Sequence, residues 1–280
     1  MDMSPNGEEL VPLDEAARRL GVHYMTAYRR VRVGRLPAVQ HHGRWFVPAT
    51  ALADPPAQAP EPLGRVRRAS GERREHLTER LLAGDAAGCW LLIEQALASG
   101  RAPEAIYVEL LGPALCEIGR RWERGEIGVE REHRASAVAL RLAGQLAPRF
   151  VRPGRKRHGA VLLAGAPGDF HLLPLVMVAD VVRGHGYVVH DLGANVPERS
   201  LLAAVEATAD LAVIGLSVSC EQTKRAAERA VQHLHRSVPG VPVLLGGPAL
   251  ASEDASLALG ADGWAPDASG AARLIEERTG

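Results

Sequence analysis

The sequence predicts a multidomain protein that combines a winged helix-turn-helix, a four-helix bundle and an α/β domain built on a doubly wound parallel sheet. Three observations predict it: a basic helical pair near the start, amphipathic helical patterns in the middle, and alternating strand and helix patterns to the end. We expect residues 1–10 to be disordered. The domains are expected at residues 11–53, 72–150 and 158–280, with a linker at residues 54–71.

The composition is that of a globular chain without a strong overall charge. Of 280 residues, 33 are basic and 33 acidic, so any affinity for nucleic acid must come from a local patch. The start of the chain lacks the parts of a signal peptide, and no apolar run reaches the roughly 20 residues of a membrane span. We therefore expect a cytoplasmic protein with no membrane partner, whose Cys89, Cys116 and Cys220 are small buried hydrophobes.

The first domain has the pattern of a helix, a glycine-containing turn and a second helix. Asp14 stands where an N-cap is expected, Gly21 ends the first helix, and the second helix is expected at residues 23–32. Two β-capable runs then flank His42-Gly43, as in a hairpin wing. The expected apolar core of this domain comprises Ala16, Ala17, Leu20, Val22, Ala27 and Val31.

Basic side chains are concentrated in the same domain, which indicates double-stranded operator DNA as a partner. Seven arginines stand against the two acids Asp14 and Glu15: Arg18, Arg19, Arg29, Arg30, Arg32, Arg35 and Arg44. Polar residues that begin a recognition helix meet base edges, and the basic residues after them meet bases or phosphates. The candidate DNA-binding residues are His23, Tyr24, Thr26, Tyr28, Arg29, Arg30 and Arg44. The alternative is that this basic helix is only a solvated face.

The domain resembles the winged helix-turn-helix of the MerR and excisionase-like families. Residues 13–22, LDEAARRLGV, and residues 34–38, GRLPA, carry the resemblance. Both phrases are specific for the domain and not for an operator.

The middle of the chain predicts amphipathic helices joined by short loops, and therefore a four-helix bundle. The helices are expected at residues 72–83, 85–99, 103–122 and 128–147. Trp122 lies where the third helix ends, and Glu132 and His133 begin the fourth. Trp122 either projects over something docked on the bundle or only packs at the bundle's end.

The last domain predicts a doubly wound parallel sheet of the Rossmann-like (flavodoxin-like) type, because strands and helices alternate. Strands are expected at residues 160–165, 187–191, 211–217, 242–246 and 262–265. Helices are expected at residues 172–184, 198–208, 221–237, 251–258 and 268–277.

Three loops at the carboxyl edge of this sheet are candidate ligand contacts, because ligands bind at that edge in open α/β folds. Asp169 and His171 follow the first strand, and an aspartate so placed orients a metal-ligating histidine. The alternatives are a helix cap and a surface crevice. Small residues follow the third and fourth strands, where they either leave a groove for a ligand or only turn the chain: Ser217, Ser219, Gly246 and Gly247.

Taken together, these loops resemble the cobalamin-binding module of corrinoid proteins, with its Asp-x-His-x-x-Gly, Ser-x-Leu and Gly-Gly motifs. The phrase from Trp122 to Glu132-His133 is similar to the bundle signature of the B12-dependent photoreceptor regulators, the CarH/LitR group, in which a MerR-type domain comes first. Two departures are Pro174, where the motif has glycine, and Glu123, where members of that group carry a histidine that can ligate cobalt after photolysis.

The resemblance implies a cofactor, adenosylcobalamin, bound base-off with His171 as lower cobalt ligand and Asp169 orienting it. It implies that the nucleotide tail lies along Ser217, Ser219, Gly246 and Gly247, and that the upper face is covered by Trp122, Glu132 and His133. It also implies a light-responsive repressor, not an enzyme, whose homo-oligomer (a dimer or tetramer) dissociates in light and releases DNA. The alternatives are a cobalamin sensor without photochemistry, a corrinoid methyl carrier, and a regulator that has lost cobalamin binding.

Overall fold

The structure is a computed structural model that describes residues 2–3, 9–20, 27–28, 31, 36–41, 44–53, 63–151 and 159–280. The chain divides into two units, residues 1–68 and residues 69–280. Among the described helices, none combines the length and the apolar character needed to cross a bilayer.

The first unit contains a four-stranded antiparallel sheet of order β1-β2-β4-β3. Its elements are β1 (Asp2–Met3), β2 (Glu9–Pro12), α1 (Leu13–Arg19), β3 (Val39–His41), β4 (Arg44–Pro48) and α2 (Thr50–Ala53). The predicted wing is confirmed, because β3 and β4 pair with His41 opposite Arg44. Its small core contains Val11, Leu13, Ala16, Ala17, Ala27, Val31, Leu36 and Val47.

Two expectations for this unit differ from the structure. Residues 1–10 were expected to be disordered, but β1 and β2 pair with each other, and β2 pairs with β4, which places Leu10 in a buried position. Asp14 is not the N-cap: α1 is preceded by Pro12, and Asp14 lies in its first turn. The reason is that Pro12 still belongs to β2, opposite Phe46, so the chain passes directly from strand to helix.

The middle of the chain forms the predicted four helices. They are α3 (Leu63–Ala83), α4 (Ala86–Ala98), a third helix made of α5 (Pro103–Ile106), a π-helical turn (Tyr107–Leu111) and α6 (Gly112–Glu123), and α7 (Val129–Leu146). Helix α3 begins at Leu63, so the predicted linker at residues 54–71 was too long. Residues 63–71 contain three arginines, which favour helix, and no proline.

The π-helical turn inside the third helix has a local cause. Pro113 has no N–H to donate and its ring crowds the preceding turn, which disturbs the α-helical ladder. The N–H of Gly112 reaches back to the carbonyl of Tyr107, five residues earlier. This bulge turns Tyr107 into the buried core of the bundle, where it is 2% exposed.

The last domain is a five-stranded parallel sheet of order β6-β5-β7-β8-β9. Its elements are β5 (Ala160–Gly165), α8 (Leu173–Gly184), β6 (Val188–Asp191), α9 (Glu198–Ala207), β7 (Leu211–Ser217), α10 (Lys224–Ser237), β8 (Val243–Gly246), α11 (Glu253–Leu257), β9 (Gly263–Ala265) and α12 (Ala268–Thr279). All five predicted strands are confirmed to within one residue. The strand order reverses between β5 and β7, and the crevice outside such a point is where open α/β sheets bind ligands.

The core of the second unit has two parts, one on each face of the sheet. One part contains the bundle together with residues of β5, α8 and α12, including Leu81, Leu142, Val161, Val182 and Ile275. The other lies under α9 and α10. The bundle and one face of the sheet therefore share one continuous apolar core.

Candidate functional site

The loop after β5 carries the central residue of the site, Asp169, whose side chain is fully buried. Its backbone N–H donates to the carbonyl of Ala166 at 2.9 Å, and its carbonyl accepts from the N–H of Asn195 at 2.7 Å. The N–H of Gly168, where φ is +87°, donates to Oδ1 of Asn195 at 2.8 Å. The loop after β6 therefore holds the Asp169 loop in place.

Asp169 directs the ring of His171. Its Oδ1 accepts from the backbone N–H of His171 at 3.1 Å and lies 2.8 Å from Nδ1 of the same residue. Its Oδ2 accepts from the backbone N–H of Ser219, after β7. Because Nδ1 faces a carboxylate, this arrangement favours the tautomer with the proton on Nδ1 and leaves Nε2 for a ligand. The side chain of His171 is 55% exposed, so it is accessible.

The charges of this pair stabilise each other. Burial acts to raise the pKa of the Asp169 carboxyl, but hydrogen bonds from His171 and Ser219 outweigh it, and the net pKa is lowered. The hydrogen bond to Asp169 raises the pKa of His171 against the opposing effect of desolvation, and the Glu132 carboxylate contributes in the same direction. Glu132, on the bundle, therefore acts directly on the histidine of the sheet edge.

The end of the bundle between α6 and α7 faces the same edge. Glu132 is partly buried and accepts from Oγ of Ser136 at 2.7 Å, while Nε2 of His133 lies 3.6 Å from its other oxygen. Trp122, near the end of α6, is 47% exposed. Glu123 acts electrostatically on Cys220 of the loop after β7. Glu123 and Glu132 of the bundle therefore lie within electrostatic range of the sheet-edge loops.

The two small-residue loops lie side by side at the ends of β7 and β8. Oγ of Ser217 is buried and lies 3.5 Å from Oγ of Ser219. Gly247 has φ +111°, and a Cβ there would lie 2.5 Å from the carbonyl oxygen of Val218. A Cβ on Gly246 would lie 3.0 Å from the carbonyl oxygen of Ala265. Both glycines allow backbones to approach closely, so the predicted alternative, that they shape the chain, accounts for their presence without a ligand.

Two residues of the site were not predicted. Asn195 has φ +50° and holds Gly168, and the run Gly193-Ala194-Asn195 after β6 was the signal for such a turn. Cys220 was expected to be buried, but it is partly exposed and its Sγ lies 3.7 Å from Nδ1 of His171. Its position directly after Ser217-Val218-Ser219 was the available signal. Cys116, on α6, is exposed and also contradicts the expectation, whereas Cys89 is buried as predicted.

Pro174 lies in the first turn of α8, where proline is tolerated, as expected.

The structure describes only some of the DNA-binding candidates. His23, Tyr24, Thr26, Arg29 and Arg30 lie outside the described residues. Tyr28 packs partly buried against the core of the first unit, and Arg44 is the first residue of β4.

The donor set suits a cobalt ion in a corrin ring. Metal-ligating histidines usually have their other ring nitrogen hydrogen-bonded to a carboxylate, as the half-exposed imidazole of His171 is to the buried Asp169. The loops after β7 and β8 carry small residues at the same edge: Ser217, Ser219, Gly246 and Gly247.

Comparison with known proteins agrees with this geometry. B12 binding domain families match residues 159–273 and residues 73–146, and a helix-turn-helix domain family matches residues 13–54. The chain is 35% identical to the HTH-type transcriptional repressor CarH of Myxococcus xanthus over 160 residues, 55% of this chain. The chain has the CarH-type domain architecture. The match covers 50% of the length of that repressor, so this chain spans about half of it.

The chain is also similar to corrinoid proteins. The chain is 28% identical to the dimethylamine corrinoid protein of Methanosarcina barkeri over 181 residues, 62% of this chain and 83% of that protein. The solved structure of the Methanosarcina barkeri monomethylamine corrinoid protein matches with a TM-score of 0.64 and 21% identity, covering 74% of this chain and 98% of that one. At this identity the likeness shows the fold.

Proposed function

We propose that this chain is a cobalamin-dependent, DNA-binding transcriptional regulator, and more specifically a light-responsive repressor that uses adenosylcobalamin. The observation that carries the proposal is the 2.8 Å pair of buried Asp169 and half-exposed His171 at the point where the strand order reverses. The helix-turn-helix and B12 binding domain matches, and the similarity to CarH, support it.

In this proposal the residues of the sheet edge hold the cofactor from below. His171 is the lower cobalt ligand through Nε2, while Asp169 keeps Nδ1 protonated and the ring oriented. The nucleotide tail takes the groove beside Ser217, Ser219, Gly246 and Gly247. Binding would be base-off, because His171 would supply the nitrogen ligand to cobalt in place of the tail base.

The bundle covers the upper face through Trp122, Glu132 and His133. When bound, adenosylcobalamin supplies a cobalt–carbon bond that light can break. The role of this chain would be to surround that face, and the apolar core that the bundle and the sheet share joins the two parts of the unit. A ligand that favours one arrangement of such an element biases a two-state switch.

DNA release is proposed to follow from a change in oligomeric state. A single winged helix-turn-helix makes few contacts, and joining copies in a dimer or tetramer raises their effective concentration on neighbouring operator repeats. Dissociation then lowers DNA affinity without altering the residues that read DNA. The DNA contacts are assigned to His23, Tyr24, Thr26, Tyr28, Arg29, Arg30 and Arg44.

A second candidate, a cobalamin sensor without photochemistry, is favoured by one observation. Glu123 follows Trp122, and it carries a carboxylate where the photoreceptor group has an imidazole. A corrinoid methyl carrier has support from the similarity to corrinoid proteins. The helix-turn-helix match at residues 13–54 speaks against a carrier, since methyl transfer has no use for a DNA-binding domain.

The test is a visible spectrum of the purified full chain with adenosylcobalamin, in the dark and after green light, with sizing and DNA binding on the same samples. The proposal expects the spectrum of a cobalamin with an imidazole nitrogen on cobalt, which His171→Ala abolishes, and light that changes the spectrum, the oligomer and the DNA affinity together. Equal DNA affinity with methylcobalamin and adenosylcobalamin, in dark and light, would favour the sensor. Unchanged cobalamin uptake in His171→Ala would overturn the ligand assignment.

A further inference from the structure

We propose that Asp169, His171 and Cys220 form a second metal site, one for a soft divalent cation such as Zn²⁺ that is occupied when cobalamin is absent. One ligand atom from each of these residues lies within 4.8 Å of the other two. Imidazole, thiolate and carboxylate are the three ligand types that zinc takes in proteins.

The separation of the two softer ligands matches zinc geometry. Sγ of Cys220 lies 3.7 Å from Nδ1 of His171. A tetrahedral ion with bonds of about 2.3 Å to sulfur and about 2.0–2.1 Å to nitrogen separates those atoms by roughly 3.6 Å. The oxygen and nitrogen of the Asp169–His171 pair are closer, at 2.8 Å, because a hydrogen bond joins them. Zinc would replace that hydrogen bond. The Asp169 oxygen and the His171 nitrogen would have to move apart by about 0.5 Å to bind the same ion.

The charges of the three ligands, and the hydrogen bond that holds Asp169 in place, also suit a divalent cation. On binding, the Cys220 thiol releases its proton to solvent and the His171 proton moves from Nδ1 to Nε2. One thiolate, one carboxylate, a neutral imidazole and Zn²⁺ then form a neutral complex. The second oxygen of Asp169 stays fixed by the N–H of Ser219. The carboxylates of Glu123 and Glu132 act on Cys220 and His171 and add negative potential.

An entry path and an open coordination position are present. The His171 side chain is 55% exposed, and Cys220 is partly exposed. Three protein ligands leave a fourth position for water, as in zinc sites that are not closed. This differs from the cobalt site, because zinc uses Nδ1 of His171 and the lower cobalt ligand is Nε2.

One consequence rests on the proposed function. Zinc on Nδ1 removes the hydrogen bond by which Asp169 orients the ring for cobalt. Zinc and cobalamin would therefore weaken each other's binding, and by linkage the two effects are equal in size. The regulator would then respond to zinc through the same histidine.

The test uses the full chain, free of tags and cobalamin and stripped with a chelator, titrated with Co²⁺ as a spectroscopic probe and with Zn²⁺ against a chromophoric chelator. We expect one thiolate-to-Co²⁺ charge-transfer band that saturates at one ion per chain and is displaced by Zn²⁺. Cys220→Ser should remove the band and lower Zn²⁺ affinity at least about tenfold. The matched control is Cys116→Ser, which changes the exposed cysteine of α6 and should alter neither.

Two outcomes would overturn the site: a band that survives in Cys220→Ser, or a wild-type affinity no greater than that of Cys220→Ser. Equal thermal unfolding of the two cysteine variants checks that they are folded. Cobalamin uptake separates this proposal from the previous one. If the wild-type chain takes up cobalamin but does not bind zinc, the zinc site alone is refuted. If it binds zinc but does not take up cobalamin, the proposed function alone is refuted.

Discussion

The phenol of Tyr107 donates a hydrogen bond of 2.7 Å to Oδ2 of Asp180. Both residues are buried, and the bond joins the π-helical turn of the bundle to α8, the helix that follows the His171 loop. The Tyr107 ring stacks on Phe150 with ring centroids 5.1 Å apart. Burial raises the pKa of the Tyr107 phenol, so it remains a donor. This bond is a polar link between the bundle and the helix that follows the His171 loop.

Tyr107→Phe should lower the free energy of unfolding by about 1–3 kcal/mol, because it removes the donor from Oδ2 of the buried Asp180 carboxyl. The measurement is urea unfolding followed by circular dichroism. Tyr187→Phe is the matched control: that phenol bonds the Thr279 hydroxyl at 2.7 Å, and the loss of a neutral partner should cost less. Equal costs for the two variants would contradict the special role of Asp180.

Asp180 should also make stability depend on pH. Burial raises the pKa of its carboxyl above the ordinary value, despite Tyr107 and Arg183. The folded protein therefore keeps this proton to higher pH than the unfolded chain does. Stability is lost as pH rises from the unfolded pKa, about 3.9, through the raised folded pKa.

Asp180→Asn, which cannot titrate, should gain stability relative to wild type as pH rises over the same interval. Urea midpoints of both proteins from about pH 4 to about pH 8 measure the difference. Parallel profiles would show that Asp180 does not carry the effect.

Asp169→Asn should weaken cobalamin binding about 10- to 100-fold, the usual cost of removing a carboxylate that orients a metal-bound histidine. Absorbance titration with adenosylcobalamin in the dark measures it. Asp191→Asn is the control, because Asp191 ends the neighbouring strand and its Oδ1 likewise accepts a backbone N–H two residues later, from Gly193 at 2.9 Å. If both variants bind equally well, Asp169 does not orient His171 for cobalt.

Gly247→Ala should destabilise the protein more than Gly240→Ala. Both glycines have positive φ, +111° and +91°, which costs a side chain about 1–2 kcal/mol. A Cβ on Gly247 would also lie 2.5 Å from the Val218 carbonyl oxygen, whereas nothing lies within 4 Å of one on Gly240. The overlap should add about 1–3 kcal/mol. Urea unfolding of the two variants gives the difference, and equal costs would refute the close approach of the loops.

Arg29→Ala with Arg30→Ala should weaken DNA binding and reduce the slope of log affinity against log salt by about 2, as expected for two phosphate contacts. Fluorescence anisotropy on a duplex selected from random sequences measures both. Arg18→Ala with Arg19→Ala is the control, because Glu15 already pairs with both guanidiniums. A larger loss in the control pair would place the DNA contact on α1 instead.

Local patterns alone predicted much of this protein. Alternating strands and helices of the last domain, the bundle helices and the hairpin wing are periodic in the sequence, and their bounds agree with the structure within a few residues, apart from the start of α3. Asp169 and His171 are two residues apart, so their contact is almost local, and the loop position already indicated a ligand site. Sequence separation this short leaves little for tertiary packing to decide.

Long-range packing decided the rest. Cys220 meets His171 across 49 residues, and Tyr107 meets Asp180 across 73. Pairs so distant are brought together only when β5 and β7 align and the bundle docks on α8, and periodicity carries no information on which side chains then coincide. The strand at Asp2–Met3 depends in the same way on its partner. The sequence by itself determined most of the elements and the Asp169–His171 pair, and the tertiary structure decided what surrounds that pair.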